Sequence, residues 1–178
     1  MASGRARVLI VDDEESIHED YRRSLERRAG SQRFDELRSA VLGASSDPRP
    51  HDDTPDVEFE LVHATDGESA VESARCMKDR GERFAVAFVD MRMASGQDGI
   101  ETARALREID PEILLVVCTA YSDYTWDTVL RGIGNRDGVH MLRKPFDPGH
   151  VRRYACVLAQ KWMLAQRKSR RSPLARVC

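Results

Sequence analysis

Three aspartates directly follow apolar stretches of the sequence, and their side chains could hold a metal ion. Asp12 and Asp13 follow the run 7–11 (RVLIV), and Asp90 follows the run 84–89 (FAVAFV). At separations of about 4 to 6 Å and an effective dielectric constant of about 20, each pair of carboxylates repels by roughly 3 to 4 kcal/mol. A divalent cation removes that repulsion, and a site of carboxylate oxygens and water suits Mg²⁺. The three residues predict a magnesium site, provided that the fold brings them together.

Five short apolar segments are typical of strands in a parallel sheet that is covered on both faces. They are residues 7–11, 57–62, 84–89, 113–118 and 139–142. The segment 57–62 (VEFELV) alternates apolar with acidic residues, which predicts a strand with one wetter face.

Segments with helical spacing separate these strands. The predicted helices cover residues 16–29, 67–79, 99–109, 122–131 and 147–170. Ser16 is the expected N-cap of the first helix, and Asp110-Pro111 ends the third. Because strand and helix alternate five times, right-handed crossovers predict an α/β fold with an open, doubly wound sheet. Its ligand crevice is expected at the carboxyl ends of the strands.

Two more polar residues follow strands at the same edge of the predicted sheet. Thr119 comes after the fourth strand, and Lys144 comes after the fifth. They bring a hydroxyl and an ammonium group to the crevice that holds the three aspartates. Lys144 precedes Pro145, so their peptide bond is a candidate for the cis isomer.

Residues 30–56 interrupt the alternation of strands and helices. They contain Pro48, Pro50 and Pro55, three of the seven prolines in the chain. We interpret them as a surface insertion between the first helix and the second strand, helical in its first part and mobile afterwards.

The composition is typical of one soluble globular domain. Of the 178 residues, 41% are hydrophobic and 33% are charged, which allows one core and a solvated surface. No apolar run approaches the ~18 residues of a transmembrane helix, and the first residues lack the apolar segment of a secretory signal. We therefore expect a cytoplasmic protein that does not enter membranes.

The net charge of −2 conceals an asymmetry along the chain. Residues 143–178 contain ten Lys or Arg and one Asp, a net charge of +9, so the first 142 residues carry −11. This basic segment could contact an acidic partner or nucleic acid, or it could be the solvated face of a long helix. The second half of that helix, with Trp162 and Leu164, could form a coiled-coil seam to a second protomer or to an output domain, or it could fray.

The strand ends carry four motifs that together resemble one protein family. The motifs are residues 8–14 (VLIVDDE), 89–93 (VDMRM), 117–120 (VCTA) and 142–146 (LRKPF). In this order they resemble the receiver domain of two-component response regulators, over residues 5–160. The resemblance implies a flavodoxin-like fold with strand order 2-1-3-4-5. It leaves residues 161–178 as a basic helical extension or linker.

Further stretches resemble receivers that carry the same insertion after the first helix. These stretches are residues 17–20 (IHED), 97–101 (QDGIE) and 119–126 (TAYSDYTW). Receivers of this type often precede histidine-kinase or cyclic-dinucleotide-turnover domains.

The resemblance also implies a chemistry. Asp90 would be the nucleophile that accepts a phosphoryl group from a sensor histidine kinase or a phosphotransfer protein. Thr119 and Lys144 would bind phosphoryl oxygens, as hydroxyl donor and as cation. The Mg²⁺ ligands would be Asp13 and Asp90 directly, Asp12 through water, and the backbone carbonyl of Arg92. Such a domain catalyses only its own phosphorylation and dephosphorylation, and the phosphoryl group switches an output or dimerisation surface.

Some positions depart from the family pattern. Many receivers place Tyr or Phe three residues before the lysine as a rotamer switch, and here that residue is Met141. Met141 could move in a similar pocket, with His140 or Tyr121 taking part, or it could be an ordinary core methionine. Residues 94–97 (ASGQ) lack the usual proline. By resemblance, Arg92 and Tyr121 occupy positions that tune dephosphorylation.

Other functions remain open alternatives. The first is a receiver-like scaffold that binds partners without phosphorylation, which Met141 and the insertion favour. The second is an aspartyl phosphatase similar to the haloacid dehalogenase group. That chemistry needs an aspartate two residues after the nucleophile, where this chain has Arg92. Specific DNA binding is not expected, because no helix-turn-helix follows residue 170.

Overall fold

The computed structural model describes residues 4–26, 57–93, 98–120, 125–134 and 136–171, which form a parallel sheet with helices on both faces. The strands are β1 (Gly4–Val11), β2 (Val57–Ala64), β3 (Val86–Asp90), β4 (Leu114–Thr119) and β5 (Val139–Arg143). The helices are α1 (Glu15–Leu25), α2 (Gly67–Asp79), α3 (Gly99–Ile109), α4 (Trp126–Ile133) and α5 (Pro148–Arg171). The strand order is β2-β1-β3-β4-β5, which confirms the predicted flavodoxin-like topology. The predicted insertion 30–56, residues 94–97 and Tyr121 lie outside the described residues.

The sheet is buried on both faces because its central strands are continuous apolar runs. Every residue of β3 and β4 is buried. One face of the sheet packs against α2, α3 and α4, and the other packs against α1 and α5. The edge strand β2 is half-buried at most positions, so the one wetter face that its alternating sequence predicts does not appear; side chains on both of its faces pack against the helices. Burial of each Val, Leu or Ile side chain contributes about 1.5 to 3 kcal/mol, so these apolar strands contribute substantially to the stability of the domain.

The start of α1 differs from the sequence prediction that Ser16 caps it. The N-cap residue is Glu14, and the Ser16 hydroxyl donates a hydrogen bond of 2.6 Å to the Glu14 carboxylate. The physical reason lies in the residues just before the helix, where the Asp12 carboxylate accepts a hydrogen bond of 3.0 Å from the backbone N–H of Glu14. This bond turns the chain before Ser16, so the helix already includes Glu15.

The other N-caps follow ordinary capping chemistry. The side chains of Asp66, Asp98 and Thr125 accept backbone hydrogen bonds at the starts of α2, α3 and α4. Because Thr125 is the cap, α4 covers Trp126–Ile133, whereas the spacing in the sequence predicts 122–131.

A polar cluster holds the second half of α5 against the amino-terminal end of the sheet. Arg83, which precedes β3, forms ion pairs with Asp110 and Glu112. Gln166 of α5 donates a hydrogen bond of 2.9 Å to Glu112. Trp162 also packs against the apolar core on this face. The helix therefore follows the domain surface as far as Gln166.

No helix in the described part of the chain combines the length and apolar character that a bilayer crossing requires.

Candidate functional site

The three predicted aspartates lie together at the carboxyl ends of β1 and β3. These strands are neighbours, with Val11 paired to Val89, so the residues that follow them meet at one edge of the sheet. One carboxylate oxygen from each of Asp12, Asp13 and Asp90 lies within 4.8 Å of the others. Asp12 is 2% exposed and Asp90 is 8% exposed, whereas Asp13 is exposed. Two carboxylates of the cluster are therefore buried, and the third lies at the protein surface.

Lys144 brings a cation into this carboxylate cluster. Its Nζ atom lies 2.6 Å from Oδ2 of Asp12 and 3.3 Å from Oδ1 of Asp90. The Lys144–Pro145 peptide bond is cis, as predicted. The backbone N–H of Lys144 donates a hydrogen bond of 2.9 Å to the carbonyl of Thr119, which joins the ends of β4 and β5.

The charges in the cluster do not balance. Burial raises the pKa of Asp90, and the Asp12 carboxylate adds to that rise, while the Lys144 ammonium opposes it. For Lys144, burial favours a lower pKa, but the hydrogen bond and charge of Asp12 and the charge of Asp90 outweigh burial and raise it. Lys144 therefore stays cationic, and one ammonium faces three carboxylates. This excess of negative charge on an oxygen-only donor set fits a hard divalent cation such as Mg²⁺.

Thr119 and Arg92 lie next to the cluster. Thr119 is 4% exposed, and its hydroxyl donates a hydrogen bond of 3.0 Å to the carbonyl of Ala120. The backbone N–H of Arg92 donates to the Asp90 carboxylate, and its side chain is exposed. The role of the Arg92 carbonyl as a metal ligand stays a prediction, as does the phosphoryl-binding role of Thr119.

Met141 lies on β5, paired with Val117 of β4. It is half-buried and packs against the core face that contains α3 and α4. The contribution of Met141 to switching stays a prediction. Tyr121 lies outside the described residues, so its contribution to dephosphorylation stays a prediction as well.

Solved structures match this chain over most of its length. A response regulator receiver protein from Sinorhizobium medicae is 20% identical with a TM-score of 0.57, covering 89% of this chain and 97% of that one. The REC domain of AraT, a response regulator from Geobacillus stearothermophilus, is 26% identical with a TM-score of 0.59, covering 90% and 98%. An adenylate cyclase from Rhodopirellula baltica is 22% identical with a TM-score of 0.64, covering 93% and 96%. No protein-family model and no curated protein matches the sequence.

The chain has the fold of response regulator receiver domains. The resemblance in the four sequence motifs is thus confirmed at the level of fold. The type of receiver, defined by the insertion, stays a prediction.

Two histidines adjoin the carboxylate cluster, and sequence reasoning gave neither a role. Nε2 of His18 lies 2.8 Å from the backbone carbonyl oxygen of Asp12, and its Nδ1 lies 2.8 Å from Nδ1 of His63 on β2. A carbonyl oxygen only accepts, so Nε2 of His18 donates. In the tautomer whose proton is on Nε2, His18 accepts at Nδ1, and His63 donates from its own Nδ1. Burial, together with the positive charge of Arg22, lowers the pKa of His63 to about 4.

A helical periodicity in the sequence could have indicated the buried position of His18. His18, Tyr21 and Leu25 follow one another at three- and four-residue steps, and all three are buried on the inner face of α1. A histidine on such a face needs a polar partner. No comparable signal pointed to His63, whose ring reaches the site only because β2 pairs with β1 in register.

Gly99 is a second residue whose importance emerges from the structure. A Cβ atom at this position would lie 2.1 Å from the carbonyl oxygen of Asp90 and 2.7 Å from Cα of Met91. The first residue of α3 must therefore be glycine, because the helix starts in contact with the backbone that carries Asp90. In the sequence, the Asp98-Gly99 pair at the predicted start of a helix could have indicated this requirement for glycine.

Tyr21 and Cys118 lie beneath the carboxylates on the α1 side of the sheet. The Tyr21 hydroxyl and the Cys118 Sγ atom are 3.3 Å apart, and both residues are 1% exposed. Burial raises the pKa of the Cys118 thiol to about 12, and burial also raises the pKa of Tyr21. Both groups remain protonated at neutral pH and add no charge to the site.

Proposed function

We propose that this receiver domain accepts a phosphoryl group on Asp90 from a histidine kinase or a phosphotransfer protein, in a Mg²⁺-dependent reaction. The observation that carries the proposal is the position of Lys144, whose Nζ atom lies 3.3 Å from Oδ1 of Asp90 within the three-carboxylate cluster. A nucleophilic carboxylate, a fixed cation and two further carboxylates are the groups that phosphoryl transfer to an aspartate requires.

Asp12, Asp13 and Asp90 are the residues that would hold Mg²⁺. When bound, the ion would neutralise the carboxylates and the oxygens of the incoming phosphoryl group. The remaining steps are carried out by side chains of the protein. A carboxylate oxygen of Asp90 attacks phosphorus, the P–N bond of the donor phosphohistidine breaks, and its electron pair returns to the imidazole. The product is an acyl phosphate on Asp90.

Lys144 and Thr119 serve the phosphoryl group once it is attached. The Lys144 ammonium pairs with one phosphoryl oxygen, since it already lies beside Asp90. The Thr119 hydroxyl donates to the carbonyl of Ala120 in this structure, and rotation about its side chain redirects it to a second phosphoryl oxygen. The phosphoryl group on Asp90 carries a charge of about −1.5 to −2 where the carboxylate carried −1, and this change in charge and shape shifts a conformational equilibrium. The face formed by α4, β5 and α5 transmits that shift to an output domain, either in the same chain or in another protein.

The proposal is tested with the full chain, MgCl₂ and acetyl phosphate, followed by intact-mass spectrometry. We expect the mass of one added phosphoryl group on the wild type and none on Asp90→Asn. The matched control is Asp66→Asn, at the carboxyl end of β2, where asparagine caps α2 as well as aspartate does. This variant should be modified like the wild type. A wild type that stays unmodified by the small donor and by a competent kinase would overturn the proposal.

Met141 supports a second candidate function, that of a scaffold which binds partners without phosphorylation. The position of the usual aromatic switch holds a half-buried methionine that packs on the core. In that case, partner binding would be unchanged by beryllofluoride and by Asp90→Asn. For either function we propose a cytoplasmic location and no catalytic activity beyond the turnover of the phosphoryl group on Asp90.

A further inference from the structure

The face of α5 that points away from the sheet carries two exposed apolar side chains. Val157 is 55% exposed and Leu164 is 58% exposed, and they are the exposed large hydrophobic residues of the described part of the chain. They are seven residues apart, so they lie two helical turns from each other on one side of the helix. Gln160, Lys161, Ala165 and Lys168 line a shallow groove with them. We call these six residues the outer stripe.

The orientation of the outer stripe is fixed by the opposite face of the helix. Val151, Ala155, Leu158 and Ala159 are all buried against the sheet. At the far end, Gln166 is hydrogen-bonded to Glu112. The helix cannot rotate to bury Val157 and Leu164 without exposing this inner face.

The charged side chains of α5 all have one sign. The 24 residues of α5 include seven Lys or Arg and no Asp or Glu. Lys161 and Lys168 lie on one side of the two apolar residues, and Arg153 and Arg167 lie on the other. All four of these basic side chains are exposed. The stripe therefore has an apolar centre between two basic flanks.

This charge pattern disfavours a second copy of the same helix as the occupant. In heptad terms, Val157 and Leu164 occupy one core position, and Arg153, Gln160 and Arg167 occupy the other. Two copies packed side by side would bring basic side chains together in either orientation, with no carboxylate on α5 to pair with them. An acidic helix would place carboxylates against the same flanks.

We propose that the outer stripe binds an amphipathic helix of a partner protein, with apolar residues along its centre and Asp or Glu on both flanks. The apolar centre supplies the contact area, and the two basic flanks select the partner by charge. The surface is separate from the carboxylate cluster, so the interaction does not depend on the chemistry of Asp90.

The test uses the full chain and two fluorescent three-heptad helical peptides that share a line of leucines. One peptide has Glu on both flanks, and the other has Lys. Fluorescence anisotropy should show saturable binding of the Glu peptide, at least about tenfold tighter than that of the Lys peptide, with an affinity that falls as salt is added. Asp90→Asn should bind the Glu peptide as the wild type does, which separates this inference from the proposed phosphorylation.

Exposed substitutions identify the surface without disturbing the core. The double variant Lys161→Glu, Lys168→Glu should abolish the preference for the Glu peptide, because one flank becomes acidic while Arg153 and Arg167 keep the other flank basic. Leu164→Ser should weaken binding of the Glu peptide by about fivefold or more. The matched control is Arg104→Glu, an exposed position on α3 across the sheet, which should leave the affinity unchanged. Circular dichroism of each variant checks that it is folded.

Several results would overturn the proposal. One is equal binding of the two peptides to the wild type, or binding of neither, and another is a preference for the Glu peptide that the double variant keeps in full. A dimer in sedimentation experiments that Leu164→Ser dissociates would assign the stripe to a second copy of this chain. Binding to anionic lipid vesicles without binding to the Glu peptide would assign it to a membrane surface.

Discussion

His18 and His63 face each other through their Nδ1 atoms, 2.8 Å apart, although 45 residues separate them in the sequence. Through Nε2, His18 also bonds to the carbonyl of Asp12 at 2.8 Å. The two rings therefore link β2 to the turn that carries Asp12 and Asp13. The His18 ring is bonded to the backbone of this turn, and the His63 ring holds His18 in that orientation.

We expect His63→Leu to weaken Mg²⁺ binding by about tenfold, because His18 loses the hydrogen bond that orients it. His63→Asn should keep an affinity close to that of the wild type, since the asparagine amide places a donor near the position of Nδ1. Isothermal titration calorimetry measures both affinities. A wild type that binds Mg²⁺ with the same affinity as His63→Leu would show that the histidine pair does not position the site.

Acid should destabilise the domain through His63. Its pKa is about 4 in the folded protein against 6.5 for an unperturbed histidine, so the unfolded state binds more protons between these values. Stability is therefore complete above about pH 6.5 and falls as the pH drops towards 4. We expect a loss of about 1 to 2 kcal/mol for this partly solvated ring. Urea unfolding at several pH values measures it, and His63→Asn should show a smaller slope. Equal slopes would contradict this prediction.

Removal of the cation from the carboxylate cluster should make stability depend on added metal. Lys144→Met takes away the ammonium that lies 2.6 Å from Asp12, and we expect it to cost about 2 kcal/mol without Mg²⁺. Added Mg²⁺ should then raise the melting temperature more than it does for the wild type. The control is Lys78→Met, which removes an exposed bond to the carbonyl of Ile109. The prediction is wrong if Mg²⁺ stabilises the wild type and Lys144→Met equally.

A methyl group at Gly99 should disturb the backbone that carries Asp90. Gly99→Ala places Cβ 2.1 Å from the carbonyl oxygen of Asp90, so the start of α3 must shift. We expect a loss of about 2 to 4 kcal/mol in unfolding free energy, measured by urea denaturation. Glu101→Ala, an exposed change on the same helix, should leave the unfolding free energy within about 0.5 kcal/mol of the wild type. A stable Gly99→Ala variant would argue against this close contact.

The strands and helices of the sheet fold could be predicted from the sequence because, outside residues 30–56, apolar runs alternate regularly with segments of helical spacing. The same alternation predicts where Asp12, Asp13 and Asp90 meet, since a parallel sheet brings the carboxyl ends of its strands to one edge. Lys144 could be placed for the same reason. These predictions depend only on the order of elements and on the position at which each strand ends.

Other features depend on side-chain geometry that element order does not determine. The start of α1 was misplaced because the Asp12 carboxylate bonds to the N–H of Glu14 and turns the chain early. The contact between His18 and His63 requires the register of β2 against β1, in which Ile10 pairs with His63. The need for glycine at position 99 reflects a backbone approach that no periodicity reveals.

The edge strand β2 also limits how the protein can associate. It pairs with β1 on one side, and no described strand pairs with its other side. Glu58 is exposed on it, and Glu60 forms ion pairs with Arg5 and Arg7 of β1. Charged side chains on an edge strand discourage strand addition by a neighbouring molecule. The domain is therefore protected against sheet extension and aggregation along the β2 edge.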